Sequence, residues 1–390
     1  MLEVLFLLLP VAAGYGWMMG RNSVRQAQRK QSSILSRHYF KGLNFLLSDQ
    51  PDKAVDTLIK MVDVNNDNAE THIAMGNFFR HRGEIDRAIK VHQNLVEKEG
   101  ISETQRERAL FELGRDYLLG GFLERAESSF LSLLNSQKHY LNAQQQLFSI
   151  YQTTKEWDRA VELAESMVDN FGDSEELSSR VSHFYCEQAA LFIKSEDYEQ
   201  AEKCLQKSIY ADEHDVRPWL MLADLAINAK DYKTAFGYLA EVPKRDVTWF
   251  SEAVPKLWQC AENTGNWTEL SELLNKYSEK CATAYLATVS LLSRDKSPEE
   301  AAEFLRAQLQ KSPSMRGFNT LLSLYAENPD NNQETTASLT MLQELIQNQI
   351  NLRPKYRCHS CGFSGRKIHW LCPSCKQWGL MKPIKGLDGD

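Results

Sequence analysis

The longest stretch without a charged side chain lies at the amino terminus, where residues 4–20 read VLFLLLPVAAGYGWMMG. A helix of this length spans ~26 Å, close to the thickness of a bilayer's hydrocarbon core. A cleaved secretory signal or a buried helix would also be apolar. A signal begins with basic residues, whereas Glu3 precedes this run and the cations follow it. The pattern therefore predicts a transmembrane anchor at residues 1–20.

A basic segment at residues 21–34 follows the predicted anchor. Its cations next to the apolar run are Arg21, Arg25, Arg29 and Lys30. Positive flanks stay on the cytoplasmic side, so the rest of the chain is expected in the cytoplasm. Arginines spaced by four share one helix face, which either attracts anionic lipid headgroups or is merely solvated.

From residue 35 onward, small and aromatic residues recur with a period of 34. One unit has Gly76, then Phe79, Gly83, Ala88 and His92. The next unit repeats this order as Gly114, Tyr117, Gly121, Ala126 and Phe130, shifted by four extra residues at 103–106. The spacing of 34 itself separates Gly42 from Gly76 and Ala126 from Ala160. Small residues let two helices approach closely, aromatics fill the gaps and the second glycine makes the turn. The period predicts a repeating pair of helices.

This pattern resembles the tetratricopeptide repeat, a helix–turn–helix of 34 residues. The fold class expected is mainly α, a tetratricopeptide α-solenoid over residues 35–350, preceded by the transmembrane helix and followed by a small metal knuckle. Six units are clear: 35–68, 69–102, 107–140, 141–174, 182–215 and 216–249. Trp258, Ala261, Gly265 and Leu270 indicate a seventh unit, and 283–350 reads as two degenerate helical pairs.

Such arrays curl into a concave surface that binds peptides or proteins. First-helix positions 2, 5, 9 and 12 of each unit line that groove. The polar candidates at such positions are Asn77, Arg80, Arg108, Arg115, Asn142, Gln145, Ser149 and Gln152. They are candidates for partner binding, with plain solvated surface as the alternative.

Charge and composition narrow the class of function. The 390 residues carry a net charge of −7, with +5 in the first 48 residues and +6 after residue 352, which leaves −18 for the middle. An acidic middle repels nucleic acid and favours docking of the basic tail. The chain lacks the phosphate-loop, serine-hydrolase and HExxH motifs, so it is predicted not to be an enzyme.

Residues 354–390 contain two Cys-x-x-Cys pairs, Cys358 with Cys361 and Cys372 with Cys375, separated by ten residues. Each pair places two thiolates on one edge of a tetrahedron, so together they predict one tetrathiolate-bound ion, zinc or iron. Paired redox disulfides are the alternative, but no βαβ pattern surrounds them. Cys186, Cys204, Cys260 and Cys281 lack ligand spacing and are expected to be buried, inert thiols.

The Cys-x-x-Cys-Gly-Phe and Cys-Pro-x-Cys turns resemble rubredoxin and zinc-ribbon knuckles, and the rubredoxin likeness favours iron. Lys376 stands where a rubredoxin has glycine, and the spacer is shorter, departures that weigh against electron transfer. RNA binding is an alternative function for a zinc ribbon, with Arg366 and Lys367 as cations and nearby aromatic rings as stacking surfaces. Those rings are Phe363, Trp370 and Trp378.

The order of anchor, repeats and the tail RCHSCGF…WLCPSCKQWGLMKPIKGLDG resembles the lipopolysaccharide assembly protein B family over essentially the whole chain. The resemblance implies a single-pass inner-membrane adaptor in a Gram-negative bacterium. It further implies two partners, a membrane AAA+ protease and the deacetylase that commits substrate to lipid A, and a metal module docked on the repeats. A general scaffold for other lipopolysaccharide-assembly proteins is the alternative, and a homo-oligomer stays open.

Overall fold

A computed structural model describes Met19 and residues 69–171, 174–327 and 332–387. The rest of the predicted anchor at 1–20, the basic segment at 21–34 and the first repeat unit at 35–68 lie outside the described residues. Arg21, Arg25, Arg29 and Lys30 belong to that part. Within the described ranges, no helix combines the length and apolarity that a membrane span requires.

The described residues divide into two compact units, with the boundary between Lys155 and Glu156. In the first unit the described helices are α1 (Ala69–His81), α2 (Ile85–Glu97), α3 (Glu103–Leu119), α4 (Leu123–Leu131) and α5 (Tyr140–Thr154). Each of these helices packs against the next one along the chain. The predicted units at 69–102 and 107–140 therefore each contain one pair of packed helices.

The second unit continues as a series of consecutive packed helices. They are α6 (Trp157–Phe171), α7 (Glu175–Lys194), α8 (Tyr198–Ala211), α9 (Arg217–Asn228), α10 (Tyr232–Arg245), α11 (Phe250–Thr264), α12 (Trp267–Tyr277), α13 (Ala282–Asp295), α14 (Pro298–Lys311), α15 (Met315–Ala326) and α16 (Gln333–Leu352). A short 3₁₀ turn, Val247–Trp249, precedes α11. The described residues thus form the mainly helical, tetratricopeptide-like solenoid that the period predicts, with helices also over 283–350. The bounds of the individual units stay a prediction.

Six of the turns between consecutive described helices have the same left-handed backbone geometry, three with glycine and three without. Gly83, Gly121 and Gly265 have φ between 74° and 80°, two residues before the second helix begins. In other pairs Lys155, Glu196 and Lys230 occupy the equivalent place with φ of 62° to 63°. A left-handed residue with a side chain costs ~1 kcal/mol, which the packing of the pair must exceed.

The repeating small residues lie where helices touch. The alanines that lie twelve residues after the position of Gly76 or its equivalent in successive units are all fully buried: Ala88, Ala126, Ala160, Ala201 and Ala235. A methyl group added to Gly76 would lie 2.3 Å from the ring of His92, and one added to Gly114 would lie 2.8 Å from Phe130. The close approach predicted for these helices is therefore confirmed at the atomic level.

A three-stranded antiparallel sheet follows the last helix, in the order β2-β1-β3. The strands are β1 (Tyr356–Cys358), β2 (Ser364–Gly365) and β3 (Met381–Pro383). Tyr356, Cys358, Cys372 and Met381 are buried in one apolar cluster with residues of α9 to α13. This small sheet, called the metal module from here on (residues 354–387), is therefore packed on the helices of the second unit.

Candidate metal centre and its docking surface

The four predicted ligands converge in the metal module. The Sγ atoms of Cys358, Cys361, Cys372 and Cys375 all lie within 4.8 Å of one another. The Cys358–Cys375 and Cys361–Cys372 sulfur distances are both 3.7 Å. Ligands at ~2.3 Å from a tetrahedral ion would be ~3.8 Å apart, so the four thiols fit a tetrathiolate ion such as zinc or iron.

Two matching backbone turns hold the thiols. In the first, the N–H of Gly362 donates to the Cys358 carbonyl at 3.0 Å, and in the second, the N–H of Lys376 donates to the Cys372 carbonyl at 3.0 Å. Gly362 has φ 76° and Lys376 has φ 57°. The second turn therefore keeps the knuckle geometry although lysine replaces the glycine of rubredoxin.

The two halves of the site differ in exposure. Cys358 and Cys372 are buried, Cys375 is half-buried and Cys361 is exposed. A hydrogen bond from the backbone N–H of Phe363 lowers the pKa of Cys361 to about 6, which favours the thiolate that a metal needs. His359 and His369 are exposed and do not join the ligand group. Among the described residues, the four cysteines are the only group of three or more side chains placed to hold a metal ion.

Trp370, two residues before Cys372, attaches the metal module to the helices. Its ring stacks on Trp249 with centroids 4.5 Å apart and planes at 23°. The guanidinium of Arg217 lies 5.5 Å from the Trp370 ring. Stacking and cation–π attraction act together at this point, in surroundings that exclude most water.

Trp378, three residues after Cys375, makes the second attachment. It stacks on His183 at 5.2 Å and meets Phe184 and Trp157 edge-on at 6.0 Å and 6.1 Å. Both docking tryptophans flank the second Cys-x-x-Cys pair. The metal that fixes this pair would therefore also fix the docking surface.

Charged groups surround the aromatic contacts. Glu252 accepts a hydrogen bond from the Tyr356 hydroxyl at 2.7 Å. The same carboxylate forms an ion pair with Lys355 at 2.8 Å. Lys382 pairs with Asp246 at 2.8 Å. The predicted association of the basic tail with the acidic middle is present in these contacts, although exposed ion pairs contribute little individually.

A buried polar network supports the docking surface from the helix side. Asp215 accepts hydrogen bonds from the Ser182 hydroxyl at 2.8 Å and the Arg217 N–H at 2.9 Å. Arg217 also pairs with Glu187 at 2.7 Å. Burial lowers the pKa of His183, with Asp215 opposing and Arg217 reinforcing this shift, so the docked imidazole is neutral near pH 7.

The predicted groove residues fall into two groups: arginines that pair with acidic side chains of the repeats, and polar residues on α5. Arg80 is buried, and its guanidinium contacts Asp116 at 2.9 Å as well as Glu112 and Asn77. Arg108 pairs with Glu70 at 2.7 Å, and Arg115 pairs with Glu112 at 3.1 Å. Asn142, Gln145 and Ser149 are exposed on α5 and Gln152 is half-buried there. Arg80 therefore links neighbouring helices, and partner binding by the others stays a prediction.

Sequence reasoning missed the helix side of the docking surface. His183, Arg217 and Trp249 carry no local motif, and their partners lie more than a hundred residues further along the chain. The sequence predicts Trp370 and Trp378 either as surfaces for RNA bases or as part of a docked tail, without identifying their partners. Their rings pack against the helices.

Family models and full-length relatives agree with this architecture. Residues 356–383 match a family described as "Rubredoxin metal binding domain", and residues 182–215 match "Tetratricopeptide repeat". Lipopolysaccharide assembly protein B of Escherichia coli K12 is 38% identical over 391 residues and covers 100% of both chains. Its counterpart in Haemophilus influenzae is 34% identical and covers 98% of both. Among solved structures, the MamA protein aligns with 47% of this chain and 93% of its own at 17% identity, with a TM-score of 0.34.

Proposed function

The chain belongs to the lipopolysaccharide assembly protein B family, and from this premise we propose that it is a non-enzymatic adaptor of lipopolysaccharide synthesis. In this proposal a single amino-terminal helix anchors it in the bacterial inner membrane, with the bulk of the chain on the cytoplasmic side. The adaptor promotes degradation of the lipid A-committing deacetylase by a membrane AAA+ protease, and so limits lipopolysaccharide synthesis.

The observation that carries the proposal is the full-length correspondence. Identity of 38% extends over the whole chain, so the amino-terminal segment, the repeats and the metal module correspond as one piece to a relative named for lipopolysaccharide assembly. Tetratricopeptide arrays work by presenting surfaces to proteins. Both points support an adaptor that brings two proteins together.

The chemistry of the metal site supports a structural role for the ion. Four thiolates complete a tetrahedral shell, whereas catalytic zinc sites keep one position open for water or substrate. Iron is favoured by the rubredoxin likeness, and zinc fits the same donors. In this proposal the ion holds Trp370 and Trp378 in place for docking and takes no part in a reaction.

Reconstitution of assisted proteolysis tests the proposal. The full-length protein, the protease and the deacetylase are placed in one liposome preparation, and the half-life of the deacetylase is measured with and without the adaptor. We expect a shorter half-life with the full chain. A variant lacking residues 1–20 should lose much of this effect because membrane confinement raises the effective concentration of the partners. An unchanged half-life with the full chain would reject the protease-adaptor function.

The printed name of the relatives also supports the alternative of a general scaffold for lipopolysaccharide-synthesis proteins. Affinity purification from membranes separates the two. A scaffold should retain several synthesis enzymes at unchanged abundance, whereas a proteolysis adaptor should retain the protease and change the level of the deacetylase. RNA binding is disfavoured because Trp370 and Trp378 pack against Trp249 and His183.

A further inference from the structure

A basic cavity of about 210 Å³ lies where the metal module meets the last helix pair. Its walls come from the start of α11 and α15, the end of α16 and residues beside the three strands. Four lining side chains are cationic: Arg316, Arg353, Lys355 and Arg366. None of the described residues that line it is acidic.

Two of the four cations are left without an ion pair among the described residues. Lys355 pairs with Glu252 at 2.8 Å. Arg316 and Arg366, by contrast, form no ion pair with a carboxylate of the described residues. Like charges gathered in a concave site repel one another, and low-dielectric walls strengthen the local potential. Such a site attracts an anion.

A buried hydroxyl adds a second, independent sign of a ligand. Ser251, at the start of α11, is 6% exposed and lines the same cavity. Its Oγ has no hydrogen-bond partner among the described residues. Buried hydroxyl groups are normally satisfied, so an anion oxygen in the cavity would complete this one.

We propose that the basic cavity binds a phosphoryl group. Guanidinium groups match phosphate oxygens in pairs, and a phosphate monoester offers three oxygens and close to two negative charges. A carboxylate has only two oxygens and one charge, a poorer match than a phosphoryl group for Arg316, Arg366 and the Ser251 hydroxyl together. Because the walls belong both to helices and to the metal module, a bound phosphoryl group stabilises the docked arrangement by mass action.

Binding to the full chain in detergent micelles tests the site, with two probes that carry the same group. Inorganic phosphate represents a soluble source, and dihexanoyl phosphatidic acid represents a lipid headgroup. Isothermal titration at constant ionic strength should show saturable binding of at least one probe. Acetate serves as the carboxylate comparison and should bind at least tenfold more weakly.

The double variant Arg316→Gln/Arg366→Gln should weaken binding of that probe by about tenfold or more, since it removes two charged hydrogen-bond donors. The matched control is Lys367→Gln, which removes the same charge beside Arg366 from a residue that does not line the cavity. It should bind within about twofold of the parent. Bound metal and helix content verify folding. If the double variant loses its metal, Arg366→Gln alone makes the comparison, because that side chain is exposed.

The two probes show whether the phosphoryl group comes from a soluble phosphate or from a lipid headgroup. Equal binding of both supports soluble phosphate, and binding of phosphatidic acid alone supports the lipid headgroup. Absence of saturable binding of both probes would overturn the site. So would an unaffected double variant, an equal loss in Lys367→Gln, or acetate that binds as tightly as phosphate.

Discussion

Replacement of Trp370 by alanine should release the metal module from the helices while the metal stays bound. The ring contributes a stack on Trp249 at 4.5 Å, worth ~1 kcal/mol. The cation–π contact with Arg217 at 5.5 Å adds ~1 kcal/mol. Because the ring is half-buried, its apolar area adds ~1 kcal/mol. The free energy of docking should therefore fall by about 3 kcal/mol, which raises the undocked population about 100-fold.

Limited trypsin digestion measures this population. Lys355 lies in the short connection between α16 and β1, where Glu252 holds it at 2.8 Å. The Arg353–Pro354 bond resists trypsin, so cleavage here occurs after Lys355. When reclosing is faster than cleavage, the cleavage rate follows the undocked fraction. We expect cleavage in this connection to be about 100-fold faster in Trp370→Ala, with one metal ion per chain still bound.

The matched control is His369→Ala, next to Trp370 but exposed, with Phe363 of the same module as its ring contact at 6.5 Å. It should be cleaved at the parental rate. In a Trp249→Ala background the added effect of Trp370→Ala should shrink by ~1 kcal/mol, the energy of the stack. A change below threefold in Trp370→Ala with metal retained, or an equal change in the control, would refute the role of the stack.

Three further predictions concern the metal, the helix packing and pH. Cys372→Ser should lose bound metal, and with it a folding contribution of order 10 kcal/mol. Elemental analysis measures the metal, and Cys186→Ser, which changes a buried thiol outside the site, should keep it. Gly76→Ala should lower the free energy of unfolding in urea by ~2 kcal/mol because its methyl group would overlap the buried imidazole of His92. The matched control Gly237→Ala places a methyl group in open space inside a helix and should raise the same free energy by ~0.5 to 1 kcal/mol. Burial lowers the pKa of His183, so the folded chain loses stability as pH falls below the ordinary value of about 6.5. Urea should then unfold it at a lower concentration, and His183→Asn should flatten this pH dependence.

Much of the architecture could be predicted from local patterns. The 34-residue period sets which residues face a neighbouring helix, and the alanines it singles out are fully buried. The spacing of the two Cys-x-x-Cys pairs likewise identifies the four ligands, because each turn holds its own two thiols with its own backbone. Such features depend on residues close together in the chain, so they are readable without the tertiary structure.

Arg80 shows where a local pattern is not enough. Its position in the repeat predicts a groove residue, yet its guanidinium is buried against Asp116, which belongs to the next unit. The repeat gives the direction of a side chain but not the acid that meets it. A pair between units is decided by which charged residues the packing brings together.

Docking of the metal module is what only the tertiary structure decided. Net charge predicts an attraction between tail and middle but does not say where they meet. Glu252 meets Tyr356 across 104 residues and Asp246 meets Lys382 across 136 residues, around the stacks of Trp370 and Trp378. Aromatic stacking and burial act over a few ångströms in space, whatever the distance along the chain, so no sequence spacing reports them.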